Sequence, residues 1–65
     1  MANRIKFIRE TLKITQKELA EKSLISAPYL LDLENNRRGA RPETLERIAA
    51  ALGVTVEELS DKKAG

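Results

Sequence analysis

The sequence predicts a compact all-α domain of five short helices, and three observations lead to this fold class. Apolar residues recur at three- and four-residue spacings, the period of a helix buried on one face. Several segments have the form of helix starts, including two Thr-x-x-Glu patterns. No segment alternates apolar and polar residues as a strand does. At 65 residues the chain holds one domain, expected over residues 1–60, with residues 61–65 as a flexible tail.

The first helix is expected over residues 4–12. Ile5, Ile8 and Leu12 are three and four residues apart, so a helix places all three on one face. Asn3 precedes this stretch and is a suitable N-cap residue, because its side-chain oxygen can accept a hydrogen bond from an amide of the first turn. We therefore expect these three apolar side chains to form the buried face of helix one.

The next two helices begin at clear start signals. Thr15 and Glu18 form a capping box, in which the hydroxyl accepts from the Glu18 amide and the carboxylate reaches back. Ser26 can cap the third helix, and Pro28 fits its first turn, where a missing N–H costs little. The expected helices run from Thr15 to Ser23 and from Ser26 to Asn35. Because the connection is so short, the two helices must cross steeply, as in a helix-turn-helix.

The last two helices follow a loop over residues 35–41 that has no apolar periodicity. Pro42 is expected at the first position of helix four, and Gly53 just after its end in the left-handed conformation. The segment Thr55 to Glu58 repeats the capping box and opens a short last helix. The apolar stripe expected on helix four consists of Leu45, Ile48, Ala49 and Leu52.

Charge is divided unevenly along the chain. Nine basic and five acidic residues precede Pro42, a net charge of +4, whereas three basic and five acidic residues follow from there, a net charge of −2. The first part could therefore face phosphate while the second faces water or a protein partner. Ordinary solvated helix faces would give the same counts, so this alternative stays open.

Composition excludes several classes of protein. The chain has no His and no Cys, no Gly-rich phosphate loop and no Ser beside a base, so we expect no enzyme, no metal site and no cofactor. No apolar run reaches the roughly 18 to 20 residues that span a bilayer, and the N-terminal segment lacks the apolar stretch of a signal peptide. We expect a soluble, cytoplasmic protein, and no small-molecule ligand is evident.

At this point the sequence resembles the Xre or Cro-type family of phage repressors, over residues 5–59. The resemblance implies a helix-turn-helix domain that binds double-stranded DNA, with the second helix of the motif entering the major groove. It rests on four blocks: Gln16-x-x-Leu19-Ala20, Ile25-Ser26, Tyr29-Leu30-x-x-Leu33-Glu34 and Thr44-Leu45-x-x-Ile48-Ala49-x-x-Leu52-Gly53-Val54.

The resemblance also implies roles for individual residues. Gln16 looks like the residue that clamps a phosphate, and Arg9 and Glu34 resemble a structural ion pair that joins helix one to helix three. Tyr29 has a precedent for phosphate contact, although a ring that covers the helix pair is an equal alternative. The arginines of the loop after helix three are candidates for contacts with the phosphate backbone of DNA. The predicted DNA-contacting residues are Gln16, Lys17, Ser26, Ala27, Pro28, Tyr29, Asp32, Asn36, Arg37, Arg38 and Arg41.

The sequence departs from the family at several positions. The base-reading positions hold Ala27, Pro28 and Asp32, none of which makes bidentate hydrogen bonds to purines, so specificity would depend on DNA shape or apolar contact. Lys13 and Leu24 occupy turn positions where the family often has Gly. A left-handed backbone there would cost about 1 kcal/mol for each residue. For Leu24 we expect burial of the side chain to offset that cost.

Three functions remain open at the level of sequence. The first is a transcriptional regulator of the repressor type that binds an operator as a homodimer through two recognition helices about 34 Å apart. The second is a helical protein-interaction module of the antitoxin or anti-repressor kind, which an exposed Phe7 and Leu31 would serve. The third is a subunit of weak, nonspecific DNA affinity. The candidate dimer interface is Val54, Val56 and Leu59, with core closure as the alternative for Val54 and Leu59.

Overall fold

The computed structural model describes residues 4–59, in which five α-helices and no strand are found. The predicted all-α fold of five helices is therefore confirmed. The predicted tail at residues 61–65 lies outside the described residues. The helices are α1 (Ile5–Thr11), α2 (Gln16–Ser23), α3 (Ala27–Glu34), α4 (Pro42–Leu52) and α5 (Val56–Leu59).

The starts of α2, α3 and α5 have the predicted caps. In α2 the Glu18 amide donates to the Thr15 hydroxyl at 3.0 Å, and the Thr15 amide donates to the Glu18 carboxylate at 3.0 Å. The same reciprocal pair of hydrogen bonds joins Thr55, just before α5, to Glu58 in its first turn. The Ser26 hydroxyl accepts a 3.2 Å hydrogen bond from an amide in the first turn of α3. These caps satisfy amides that a helix start leaves without partners.

Helix α1 differs from its prediction at both ends. Its N-cap residue is Arg4 and not Asn3, which lies outside the described residues, and no side-chain cap is made. Instead, the Arg4 amide donates to the carbonyl of Leu59 at 2.8 Å, so the start of α1 is tied to the end of α5. Leu12 is exposed rather than buried with Ile5. It follows the last residue of α1 and lies outside the apolar cluster, so the predicted stripe was one turn too long.

Four helices end in the same way, with one left-handed residue that reverses the chain. The amide of the residue that follows then donates to the carbonyl five residues back, at 2.8–3.0 Å, which is the Schellman arrangement. Lys13 and Leu24, which occupy turn positions where the family often has Gly, are therefore left-handed. The four left-handed residues are Lys13 (φ 61°), Leu24 (φ 62°), Asn36 (φ 60°) and Gly53 (φ 75°).

Leu24 contradicts one prediction. Its side chain is 75% exposed, so burial does not offset the cost of its left-handed backbone. The left-handed turn projects the side chain away from the helix pair, and the next residue, Ile25, packs against the core in its place. The turn between α2 and α3 therefore carries an uncompensated strain of about 1 kcal/mol.

Replacing Leu24 with Gly is expected to stabilise the protein. Gly adopts the left-handed conformation without the clash that Cβ causes, and its larger entropy in the unfolded chain offsets part of that gain. We expect the free energy of unfolding to rise by about 0.5 to 1 kcal/mol. Urea unfolding followed by circular dichroism measures it. Leu24→Ala is the matched control, because it removes the same exposed side chain and keeps the strain. A Gly variant no more stable than the Ala variant would contradict the prediction.

The core is a single aliphatic cluster between the helices. Helix α2 packs mainly against α4 and α3, and α5 closes the cluster against α4. The Ser23 hydroxyl is buried among these helices and has no hydrogen-bond partner. Burial of so many aliphatic side chains holds α2 and α3 in a fixed relative position. The buried apolar residues are Ile5, Leu19, Ala20, Leu30, Leu33, Ile48, Ala49, Leu52 and Leu59.

Candidate nucleic-acid interface

Helices α2 and α3 and the turn between them form a helix-turn-helix. Leu24 reverses the chain, the Ile25 amide donates to the carbonyl of Ala20 at 3.0 Å, and Ser26 caps α3. The front end of α3 lies on the surface: Ala27 and Pro28 are exposed. The rest of α3 is anchored by buried leucines. The first turn of α3 is thus held rigidly while its side chains face solvent.

A buried polar network joins α1, α2 and α3 behind this surface. The Arg9 guanidinium donates to both carboxylate oxygens of Glu34, from Nε at 2.7 Å and from Nη2 at 3.3 Å. Its Nη1 donates to the carbonyl of Ile14 at 2.9 Å. The side chain of Arg9 is 10% exposed and that of Glu34 is 1% exposed. A charge-assisted bidentate pair at this burial fixes the distance and angle between α1 and α3.

Gln16 also belongs to this network, which the sequence did not indicate. Its Nε2 donates to Glu34 Oε1 at 2.9 Å. A side-chain amide has two N–H donors, so this bond occupies one of them and fixes the direction of the other. Gln16 is the first residue of α2 and is half-buried. Its side chain is therefore oriented in advance at a helix N-terminus, where the helix dipole favours an anion.

The turn after α3 brings an arginine back over the helix. Asn36 is left-handed, and the Arg37 amide donates to the carbonyl of Asp32 at 2.8 Å. This reversal places Arg38 Nε at 3.4 Å from Asp32 Oδ2 and the Arg38 guanidinium carbon at 5.8 Å from the centre of the Tyr29 ring. Tyr29 and Asp32 are three residues apart and so share a face of α3. We call these three side chains the arginine cluster: Tyr29, Asp32 and Arg38.

The other predicted DNA-contacting residues lie on the surface. Lys17 and Ser26 are exposed on the first turn of α2 and at the cap of α3. The loop between α3 and α4 is exposed at each of its predicted contact residues, whereas Tyr29 and Asp32 are half-buried. The ring of Tyr29 is half-buried and packs against the core. The exposed loop residues are Asn36, Arg37, Arg38 and Arg41.

The three residues of the predicted dimer interface differ in exposure. Leu59 is 1% exposed and completes the core, so its side chain has almost no surface left for a partner. Val54 and Val56 are half-buried against the same core. Of the three predicted interface residues, Val54 and Val56 therefore keep apolar surface for a partner, and Leu59 does not.

Large apolar side chains are also exposed elsewhere. Phe7 is exposed on α1, where the guanidinium carbon of Arg4 lies 5.1 Å from the centre of its ring. Leu31 is 43% exposed on α3. Among residues 4–59, no three or more acidic side chains come together as a metal site. None of the helices over the same residues has the length and apolar character that a bilayer crossing requires.

Comparison with known proteins agrees with this geometry. A family model described as helix-turn-helix matches residues 5–59. The chain belongs to this helix-turn-helix family. The match covers all five helices, so the family predicted from the four sequence blocks is confirmed.

Relatives within the family carry the names of regulators. The chain is 44% identical over 59 residues to the immunity repressor protein of Bacillus phage phi105, covering 91% of this chain and 41% of that protein. It is 36% identical over 59 residues to the HTH-type transcriptional regulator DdrOP3 of Deinococcus deserti, covering 91% of this chain and 46% of that protein. The chain thus spans less than half the length of these relatives.

Solved structures of the helix-turn-helix family have the same fold. The N-terminal DNA-binding domain of SinR from Bacillus subtilis is 35% identical, with a TM-score of 0.82 over 95% of this chain and 91% of that one. The clp gene regulator ClgR from Corynebacterium glutamicum is 34% identical, with a TM-score of 0.82 over 85% of this chain and 58% of that one. The arrangement of α2 and α3 is therefore shared with named regulators.

Proposed function

We propose that this chain is a DNA-binding domain of a transcriptional regulator, which places the front end of α3 in the major groove. The observation that carries the proposal is the exposure of Ala27 and Pro28 at the start of a helix whose other face is buried. A major groove about 12 Å wide admits one helix presented in this way. The names of the relatives, a phage immunity repressor among them, favour repression as the direction of regulation.

Phosphate contacts would come from both sides of α3. Gln16 lies at the N-terminus of α2 with its amide oriented by Glu34, and Lys17 is exposed beside it. Arg37, Arg38 and Arg41 are exposed in the loop that follows α3. Basic side chains that neutralise phosphates release counterions, which supplies affinity for any duplex. These contacts would set the orientation of α3 without reading sequence.

Sequence selection would depend little on hydrogen bonds to bases. Ala27 and Pro28 can only pack against thymine methyl groups, and Asp32 can only accept a hydrogen bond, for example from cytosine N4. We therefore propose that selection arises chiefly from groove shape and from the deformability of the duplex. We propose that such a regulator acts in the cytoplasm.

A dimer would present two copies of α3 to successive major grooves about 34 Å apart. Val54 and Val56 are the surface that we propose for it, because they are the predicted interface residues that keep exposed apolar area. Leu59 would contribute by holding α5 in place. Sedimentation of the protein with and without a palindromic duplex would show whether the dimer forms alone or on DNA.

Selection of bound duplexes from a random pool tests the proposed function. We expect enrichment of a short two-fold symmetric sequence, with affinity falling steeply as salt rises. Equal retention of all sequences would instead show a nonspecific DNA-binding subunit. Failure to retain any duplex at low salt would exclude the regulatory function.

A second candidate function is a protein-docking module, and the exposed Phe7 and Leu31 favour it. A solved structure with a TM-score of 0.84 and 35% identity to this chain is that of a SinR protein/SinI protein complex. The selection experiment separates the two functions, because a docking module of this kind would leave the pool unenriched. The exposed front of α3 and the flanking arginines favour DNA.

Arg38→Ala is expected to weaken binding to all duplexes alike. If Arg38 contacts one phosphate, its removal reduces the slope of log affinity against log salt by about 1. Fluorescence anisotropy with a labelled duplex at several salt concentrations measures both quantities. Arg47→Ala is the matched control, because Arg47 is an exposed arginine on α4 outside the proposed interface. A salt slope equal to that of the control would remove Arg38 from the contacting residues.

A further inference from the structure

The arginine cluster places a carboxylate on the helix that is proposed to approach the phosphate backbone. Asp32 lies on α3, one turn after the exposed front end, and its side chain is 33% exposed. A carboxylate in this position repels each nearby phosphate, and it makes few of the hydrogen bonds that read bases. If Asp32 only read bases, its contact with Arg38 would have no explanation.

The geometry of the cluster connects Asp32 to a proposed phosphate contact. Arg38 Nε lies 3.4 Å from Asp32 Oδ2, and the guanidinium lies over the Tyr29 ring at 5.8 Å. The ion pair and the stacking together hold a side chain that is otherwise 64% exposed. Arg38 is thus directed onto the surface of α3 and away from an extended position in the loop.

The hydrogen bonds of the turn keep this arrangement in place. The Arg37 amide donates to the Asp32 carbonyl at 2.8 Å, and the Asn36 amide donates to the Leu33 carbonyl at 3.2 Å. The backbone on both sides of the ion pair is therefore fixed to the end of α3. Arg38 can change its partner by rotating its side chain, without any change in the fold.

We infer that Asp32 restrains DNA binding through Arg38, as a positioning residue that competes with phosphate for the guanidinium. This inference rests on the proposed function. When Arg38 turns to a phosphate, Asp32 loses its counter-charge while it lies beside the duplex. Asp32 therefore lowers the affinity of the protein for duplex DNA of any sequence.

The test is a double-mutant cycle on binding to a random-sequence duplex at low salt. Asp32→Asn keeps the size of the side chain and removes its charge, and we expect it to raise affinity about threefold, the change that corresponds to loss of an exposed ion pair. In an Arg38→Ala background the carboxylate still repels the duplex but has no ion pair to lose, so the same substitution should raise affinity less than it does in the original protein. Glu46→Gln is the control, because it removes one exposed carboxylate on α4, outside the cluster.

The outcomes separate the inference from the proposed function. A rise for Asp32→Asn that exceeds the control and is larger in the original protein than in the Arg38→Ala background supports the inference. An equal rise in both backgrounds shows that Asp32 acts by its own charge alone, and a rise no larger than that of Glu46→Gln shows no special role; either result overturns the inference and leaves the proposed function standing. If the original protein binds no duplex, the proposed function fails and the inference fails with it. Thermal unfolding of each variant shows that the fold is kept.

Discussion

Replacing Glu34 with Ala is expected to lower the free energy of unfolding by about 3 to 5 kcal/mol. Glu34 accepts hydrogen bonds from Arg9 at 2.7 and 3.3 Å and from Gln16 at 2.9 Å, and its side chain is almost completely buried. Its removal leaves the buried part of the Arg9 guanidinium without its buried counter-charge, and the exposed Glu10 at 3.9 Å replaces it poorly. A domain of this size has a total stability of roughly 3 to 10 kcal/mol, so the variant should be close to unfolding.

The control for this prediction is the other carboxylate beside the same arginine. Glu10 lies 3.9 Å from Arg9 Nη2, but its side chain is 58% exposed. Exposed ion pairs contribute about 0 to 1 kcal/mol, so Glu10→Ala should change stability little. Urea unfolding of both variants measures the difference. Equal effects would mean that the buried carboxylate does not compensate the charge of Arg9.

The same network has a consequence for binding. Gln16 keeps its direction only while Glu34 accepts from it, so a folded variant that lacks the carboxylate should also hold the proposed phosphate donor less firmly. Fold and interface thus depend on one group of side chains. Apolar residues of similar volume would often be no less stable than the buried pair, but they could not hold Gln16 in this direction.

The elements that could be predicted from the sequence are those with local causes. Capping boxes at Thr15 and Thr55 act within three residues, and the bounds of α4 follow from Pro42 and Gly53. Periodicity identified Ile48, Ala49 and Leu52 as buried on α4, whereas Leu45 is half-buried and the buried Thr44 was not predicted. Leu12 was placed wrongly because periodicity gives the direction of a side chain and does not show how far along the helix the packing extends.

Two contacts of long polar side chains across the fold could not be predicted, whereas the Arg9–Glu34 pair was expected from the family resemblance. The bond from Gln16 to Glu34 joins residues on different helices, and the return of Arg38 to Tyr29 and Asp32 depends on a left-handed Asn36. No spacing in the sequence encodes these distances. The exposure of Leu24 was missed because an apolar residue in a strained turn suggests burial as compensation, and the turn directs the side chain outward.

Two adjacent leucines on α3 allow the role of the helix in the core to be separated from its role at the surface. Leu30 is 0% exposed and Leu31 is 43% exposed, and both substitutions to Ala remove the same atoms from the same helix. We expect Leu30→Ala to lower the free energy of unfolding by about 2 to 5 kcal/mol, since it leaves a cavity in the packed core. Leu31→Ala should cost less than about 1 kcal/mol.

The two variants should differ again when duplex binding is measured. DNA that binds the folded protein and not the unfolded chain stabilises the fold by mass action. The Leu30→Ala variant should therefore recover part of its lost stability at high duplex concentration. Leu31→Ala should fold normally, and any loss of affinity would then report contact between this exposed side chain and the groove. Thermal unfolding with and without duplex measures both effects. If the variants were equally stable, α3 would not be anchored as the structure has it, and its exposed front end would not be rigid.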